Sequence, residues 1–235
     1  MLVWIDTETT GLDFSNDKLL EVAVIITNDN LKVIDRYTSV IKTTKKALRE
    51  MDEWCKTTHG ASGLLDELAT ADKSLKQVEQ EVIALLDKHD LTSRVTLAGN
   101  SVHFDNRFLT RDMPTLMKRF SHQMLDVTAI GLCVKRWNTT AYDTLYAKKG
   151  TVAHRALADI QSSIKQMKFY KKHGLDADIR MGGPQVNGMQ LLAAGALDLF
   201  MGYDIQNLSA LEQGVPVMTV AAVSTSPASP VTVSV

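Results

Sequence analysis

VWIDTETTGL, residues 3–12, runs an apolar segment (Val3, Trp4, Ile5) straight into two acids, Asp6 and Glu8. Residues i and i+2 of an extended chain point to the same face. If residues 2–6 form a buried strand, the two carboxylates project together into one small volume. Like charges that close repel, and each loses hydration. A hard divalent cation is the usual compensation, because Mg²⁺ prefers carboxylate oxygens and is often held by one or two of them. Read alone, the same pair also fits a solvated strand end.

Working outward, LLEVAVIIT (19–27) and KVIDRYTSVI (32–41) are rich in β-branched residues, with NDN (28–30) between them as a turn. This pattern predicts an antiparallel meander. VTLAG (95–99) reads as a further short strand. Helical spacing predicts helices at about 45–53, 61–69, 75–89, 104–119, 126–137 and 155–172. In the last of these, Leu157, Ile160, Ile164 and Met167 recur on one face. Antiparallel strands followed by strands mixed with helices imply an α/β fold, a mixed β-sheet flanked by α-helices.

The chain has 235 residues, of which 45% are hydrophobic and 23% charged, as in a soluble globular protein with one well-buried domain. With a net charge of −1 no broad basic surface advertises bulk nucleic-acid binding, so a nucleic-acid partner must be small or held at a focused site. Two cysteines, Cys55 and Cys133, suit a reducing compartment without a disulfide framework. The N-terminus enters a strand at once, with neither a signal peptide nor an Arg-rich transit segment. The longest apolar run, around Leu191–Met201, is interrupted by Asp198. A cytoplasmic location and no membrane partner are the expectation.

Two further junctions repeat the opening arrangement. LAGNSVHFDNRFL (97–109) passes from an apolar strand through a turn to Asp105 at a helix start, where an acid also complements the macrodipole. GTVAHRALADIQSSI (150–164) sets His154 five residues before Asp159. Five residues turn about 140° around a helix, so the two cannot share a helical face. The simpler geometry has His154 on the loop entering the helix and Asp159 in its first turns. An imidazole and a carboxylate then meet at one helix mouth.

Asp6-x-Glu8, Asp105 and His154-x₄-Asp159 together resemble the ordered signature of DEDD-type 3′→5′ exonucleases with a histidine. MDEWCKTTHGASGLL (51–65), AGNS (98–101), MLDVTAI (124–130) and GTVAHRALADI (150–160) are similar to blocks of the oligoribonuclease family. The resemblance covers residues 1–174 and implies a ribonuclease H-like sheet. It implies a 3′→5′ exoribonuclease that degrades short single-stranded RNA to 5′-mononucleotides. Asp6, Glu8, Asp105 and Asp159 would hold two Mg²⁺ or Mn²⁺ ions, with His154 as the base. It also implies base contacts by Leu12 and Trp54, and phosphate contacts by Ser101 and Thr128. His59 would contribute from the neighbouring subunit of a homodimer. Relatives carry an aromatic and an arginine before LDV, where this chain has His122 and Gln123; the missing arginine removes a bidentate phosphate donor. A proofreading-type DNA exonuclease acting on short DNA shares the same catalytic set and is the alternative.

Composition changes after about residue 175. From Met181 onward there is no Lys or Arg, and four of the five prolines lie there. Residues 182–223 resemble a piece of a periplasmic-type solute-binding protein, which leaves a non-catalytic ligand-binding or interaction protein as a third reading. A domain of residues 1–174, a C-terminal appendage at 175–223 and a disordered Ser/Thr/Pro-rich tail at 224–235 are expected.

Overall fold

The strand that opens the sequence lies at the middle of the sheet in the computed structural model, which describes residues 1–147, 154–172, 188–194 and 212. β1 (Leu2–Thr9) pairs antiparallel with β2 (Leu19–Thr27), which pairs antiparallel with β3 (Val33–Val40). On its other side β1 runs parallel to β4 (Val95–Gly99), and β4 runs parallel to β5 (Phe120–Asp126), giving the order β3-β2-β1-β4-β5. The expected meander is therefore present. The turn between β2 and β3 closes where the Leu31 N–H donates to the Asn28 carbonyl at 2.9 Å.

The helices are α1 (Lys45–Glu50), α2 (Glu53–Ala61), α3 (Leu64–Thr70), α4 (Leu75–Lys88), α5 (His103–Asp112), α6 (Pro114–Met117), α7 (Val127–Trp137), α8 (Thr139–Tyr146), α9 (Ala156–Lys172) and α10 (Gly188–Ala193). Val3, Ile5, Val22, Val24 and Ile26 pack with Val78, Val82 and Leu86 of α4 and with Phe108 and Leu109 of α5. α9 packs on β1 and β2, while Leu20 joins Met51, Cys55, Leu64 and Leu68 in a smaller cluster. Each fully buried aliphatic side chain contributes about 1.5–3 kcal/mol by leaving water. Helices on both sides explain why β1 and β2 carry continuous apolar runs instead of alternation.

Several element boundaries differ from the periodicity. The helix expected at 45–53 stops at Glu50, because Met51 is extended and the Asp52 carboxylate caps a new helix by accepting from the Cys55 N–H at 2.7 Å. The helix that follows, α2, was not expected, and neither was α8. The helix expected at 104–119 is cut at Pro114, whose missing N–H suits a helix start and not a helix interior. β5 was not expected as a strand; Ser121, His122 and Gln123 give it no apolar pattern.

The chain divides into two compact units, Met1–Ala177 and Asp178–Val235. The expected boundary at residue 174 and the tail at 224–235 lie outside the described residues, as does most of 175–223. Among the described residues, no helix is long and apolar enough to cross a membrane.

Candidate active site

β1 delivers Asp6 and Glu8 to one face two residues apart, and the first turn of α9 brings Asp159 to them. One oxygen from each of the three carboxylates lies within 4.8 Å of the others. Asp105, in the first turn of α5, is 5% exposed and is held differently. Its Oδ1 accepts from the Thr7 N–H at 2.9 Å and from the Thr7 hydroxyl at 2.7 Å. Thr7 sits between the two acids on β1 but faces the other way, so Asp105 is tied to the strand from behind. Its charge still reaches Asp6 and Glu8.

His154 lies on the loop just before α9, as the spacing predicted, with a left-handed φ of 47°. Its imidazole meets the Trp54 indole edge-on, ring centroids 5.5 Å apart. Trp54 is 61% exposed and Leu12 is 79% exposed. Large apolar side chains left in water are available to a ligand.

Ser101 and Thr128, from distant segments, come together: their hydroxyls are 3.1 Å apart. The Asp126 carboxylate organises the pair, accepting the N–H of Ser101 at 2.9 Å and of Thr128 at 2.8 Å. His59 does not reach outward. Its ring is 1% exposed within its own chain, with Nε2 2.9 Å from the Thr9 carbonyl and Nδ1 3.9 Å from the Glu8 carboxylate. His122 and Gln123 are consecutive on β5. They lie where the pairing of β5 with β4 is irregular, between Phe120, opposite Val95, and Met124, opposite Leu97.

Four residues that the sequence did not single out shape this site. Glu21 lies directly across from Glu8 in the β1–β2 register and is 2% exposed. Arg155 and Glu67 join it in an ion-paired cluster, and Thr7 anchors Asp105. A buried Glu in an otherwise apolar strand, LLEVAVIIT, was the available signal for Glu21.

Burial is the largest influence on the acids. It pushes Glu8 up to about 8, reinforced by the charges of Asp159, Glu21 and Asp105, and opposed by Arg155. It pushes Asp105 up to about 7 against the Thr7 hydrogen bonds. It also raises Asp6 well above the usual carboxylate range, with Asp105, Glu8, Asp159 and Glu21 adding to the shift. Hard oxygen donors that resist ionisation when left to themselves are the donor set a divalent cation fits. A carboxyl with a raised folded pKa binds its proton more tightly folded than unfolded. Its stabilising share is present in full below the unfolded pKa and is lost as pH rises through the folded one. The metal-free protein is therefore expected to lose melting temperature steadily from about pH 4.5 to about pH 8. Mn²⁺ should restore it most at the upper end. Thermal scans across that range, with Mn²⁺ or EDTA, measure this. A metal-free melting temperature that rises towards pH 8 would contradict it.

A family model described as Exonuclease matches residues 3–167, and one described as NMT1/THI5 like is similar to residues 165–234. The chain is 42% identical over 172 residues to the oligoribonuclease of Arabidopsis thaliana, covering 73% of this chain and 77% of that protein. It is 38% identical over 173 residues to the oligoribonuclease of Hydrogenovibrio crunogenus, covering 73% and 92%. The mitochondrial oligoribonuclease of Homo sapiens is 36% identical over 173 residues, covering 73% and 72%. Among solved structures, the zinc-bound complex of E. coli exonuclease I with single-stranded DNA matches with a TM-score of 0.57 at 14% identity. That match covers 74% of this chain and 40% of the E. coli chain, and it bears on the fold alone. Because the Exonuclease match runs through β1, α5 and α9, which carry the acids, and the identities to curated relatives hold over nearly three quarters of its length, the chain belongs to the exonuclease family, among the oligoribonucleases.

Proposed function

We propose that this chain removes 5′-mononucleotides from the 3′ end of short single-stranded oligoribonucleotides, with hydrolysis at the Asp6–Glu8–Asp159 cluster. The observation that carries the proposal is the meeting of those three carboxylates within 4.8 Å beside the mouth of α9, where His154 stands. Asp6, Glu8 and Asp159, backed by Asp105, would hold two Mg²⁺ or Mn²⁺ ions. Such ions acidify a water and stabilise charge during in-line displacement. His154 would take the proton of the attacking water as the new O–P bond forms and the P–O3′ bond breaks, and the leaving 3′ oxygen takes a proton from solvent to become the new 3′-hydroxyl. An imidazole suits that work because its ordinary pKa lies near neutrality.

Trp54 and Leu12 would flank the terminal bases. Stacking on an aromatic face contributes about 1–3 kcal/mol per base without reading sequence. The paired hydroxyls of Ser101 and Thr128 would donate to a phosphate. A homodimer acting in the cytoplasm completes the proposal. Within its own chain the His59 ring lies against the Thr9 carbonyl and the Glu8 carboxylate; its contribution from the neighbouring subunit of the homodimer is part of the same proposal.

Incubating the purified protein with labelled RNA and DNA, from dinucleotides to long oligomers, with Mn²⁺ or EDTA, tests the proposal. Metal-dependent mononucleotide release from short RNA is expected. Release from DNA alone would favour the proofreading-type alternative, and no release from either polymer would leave a non-catalytic protein.

Substrate length is open to a sharper test. With Gln123 in place of arginine, discrimination between dinucleotides and longer RNAs should be shallow. Gln123→Arg restores a bidentate donor, and a charge-assisted hydrogen bond contributes about 1.5–3 kcal/mol. The preference for 5′-phosphorylated dinucleotides over pentanucleotides should rise by about tenfold or more, read as the ratio of kcat/KM values. An unchanged length profile would defeat this phosphate argument.

A further inference from the structure

His154 is a β-unbranched but bulky residue in the left-handed region, φ 47°. A non-glycine residue held there is strained and persists only where its surroundings over-determine it. What over-determines it is the next residue. The Arg155 guanidinium is forked between two glutamates. Toward Glu21 its Nη2 donates to Oε1 at 2.9 Å and its Nε to Oε2 at 3.2 Å. Toward Glu67 its Nη1 donates to Oε1 at 2.7 Å and its Nη2 to Oε2 at 2.9 Å. Its Nη1 also reaches the Ser62 carbonyl at 3.5 Å. The same Glu21 carboxylate accepts the Ala156 N–H at 3.1 Å, so it holds the first residue of α9 as well. Glu21 is buried on β2 opposite Glu8, and Glu67 is on α3, the helix after the one that carries Trp54.

The geometry points to Arg155 as a positioning residue for the reaction: its double fork to Glu21 and Glu67 holds the imidazole of the preceding residue, His154, against Trp54 at the mouth of α9, whose first turn carries Asp159. Lysine could keep the charge but not this arrangement. A planar guanidinium presents several N–H groups in fixed directions, whereas an ammonium is a point charge on a flexible stem. Misplacing a reacting group by about an ångström costs up to roughly 100-fold in rate. The inference rests on the reading of His154 as the base.

The test is a double-mutant cycle on the full chain with Mn²⁺ and a short RNA substrate, measuring kcat and KM separately, with a Mn²⁺ titration of each variant. Arg155→Lys should lower kcat by roughly 10–100-fold while KM and Mn²⁺ affinity stay within about twofold. Glu67→Gln removes one fork at the half-exposed end and leaves the Glu21 cap on α9 intact. It should lower kcat by a smaller factor, about 3–10-fold, and serves if Arg155→Lys fails to fold. Introduced into His154→Ala, either change should cost no more than about a further twofold, because the group it positions is gone. Equal losses in both backgrounds would overturn the proposal, as expected of a merely structural cluster. Weakened Mn²⁺ binding would also overturn it, by showing that the fork acts through Asp159. If His154→Ala alone leaves kcat unchanged, the base assignment falls first and this inference falls with it; that outcome is distinct from equal losses.

Discussion

Asp159→Asn is expected to lower kcat by at least about 10³-fold, roughly 4 kcal/mol of transition-state stabilisation, while the fold survives. Its carboxylate is one of three within 4.8 Å. The amide keeps the shape but contributes no negative charge to a cation. Without metal the same change relieves repulsion inside a buried acidic cluster, so melting temperature should hold or rise. Steady-state rates at saturating Mg²⁺, beside thermal scans in EDTA, test both halves. Undiminished turnover would show the carboxylate assignment to be wrong.

Asp105 behaves differently, although the sequence invites the same treatment for both acids. Asp105→Ala would strip the Thr7 N–H and hydroxyl of their acceptor in a nearly dry position. Each orphaned buried group costs about 1–3 kcal/mol. Loss of activity in that variant would mix chemistry with destabilisation. Asp105→Asn retains an acceptor oxygen for Thr7 and isolates the charge.

His154→Ala should slow turnover by roughly 10²–10⁴-fold, the usual scale for a positioned acid or base, and leave Mn²⁺ affinity unchanged. The motivation is placement. His154 stands at the loop before α9, edge-on to Trp54. Among the described residues, the group of side chains that can hold a metal together consists of Asp6, Glu8 and Asp159. A loss of Mn²⁺ binding in His154→Ala would make the imidazole a ligand. A pH–rate profile that keeps its acidic limb in the variant would assign the base elsewhere.

The acids announced themselves because of where they sit. A carboxylate pair closing an apolar strand, and an acid just inside each of two later helices, are visible as residue type against periodicity. β2 and β4 were legible to the residue for the same reason. Strands buried on both faces write themselves as unbroken apolar runs. β5 is an edge strand with mixed polarity, and its pairing with β4 is a long-range event that leaves no local mark. The break at Glu50 was hidden too, since Met51 and Asp52 interrupt an otherwise helical pattern by backbone geometry and a single cap.

What the sequence determined by itself is the chemistry available: four acids and a histidine, the strand that carries two of them, and the family to which their order belongs. Local rules suffice there, because strand alternation places Asp6 beside Glu8, and the five-residue spacing sets His154 on the loop ahead of the helix that carries Asp159. Only the tertiary structure decided which partners each group has. It turned Asp105 back onto Thr7, drew Glu21 and Glu67 around Arg155, and buried His59 against its own strand. The contacts among them span from 50 to 134 residues of chain. Charge and hydrogen-bond energies depend on distances of a few ångströms and on burial, and neither quantity exists until the sheet and its helices have closed around the site.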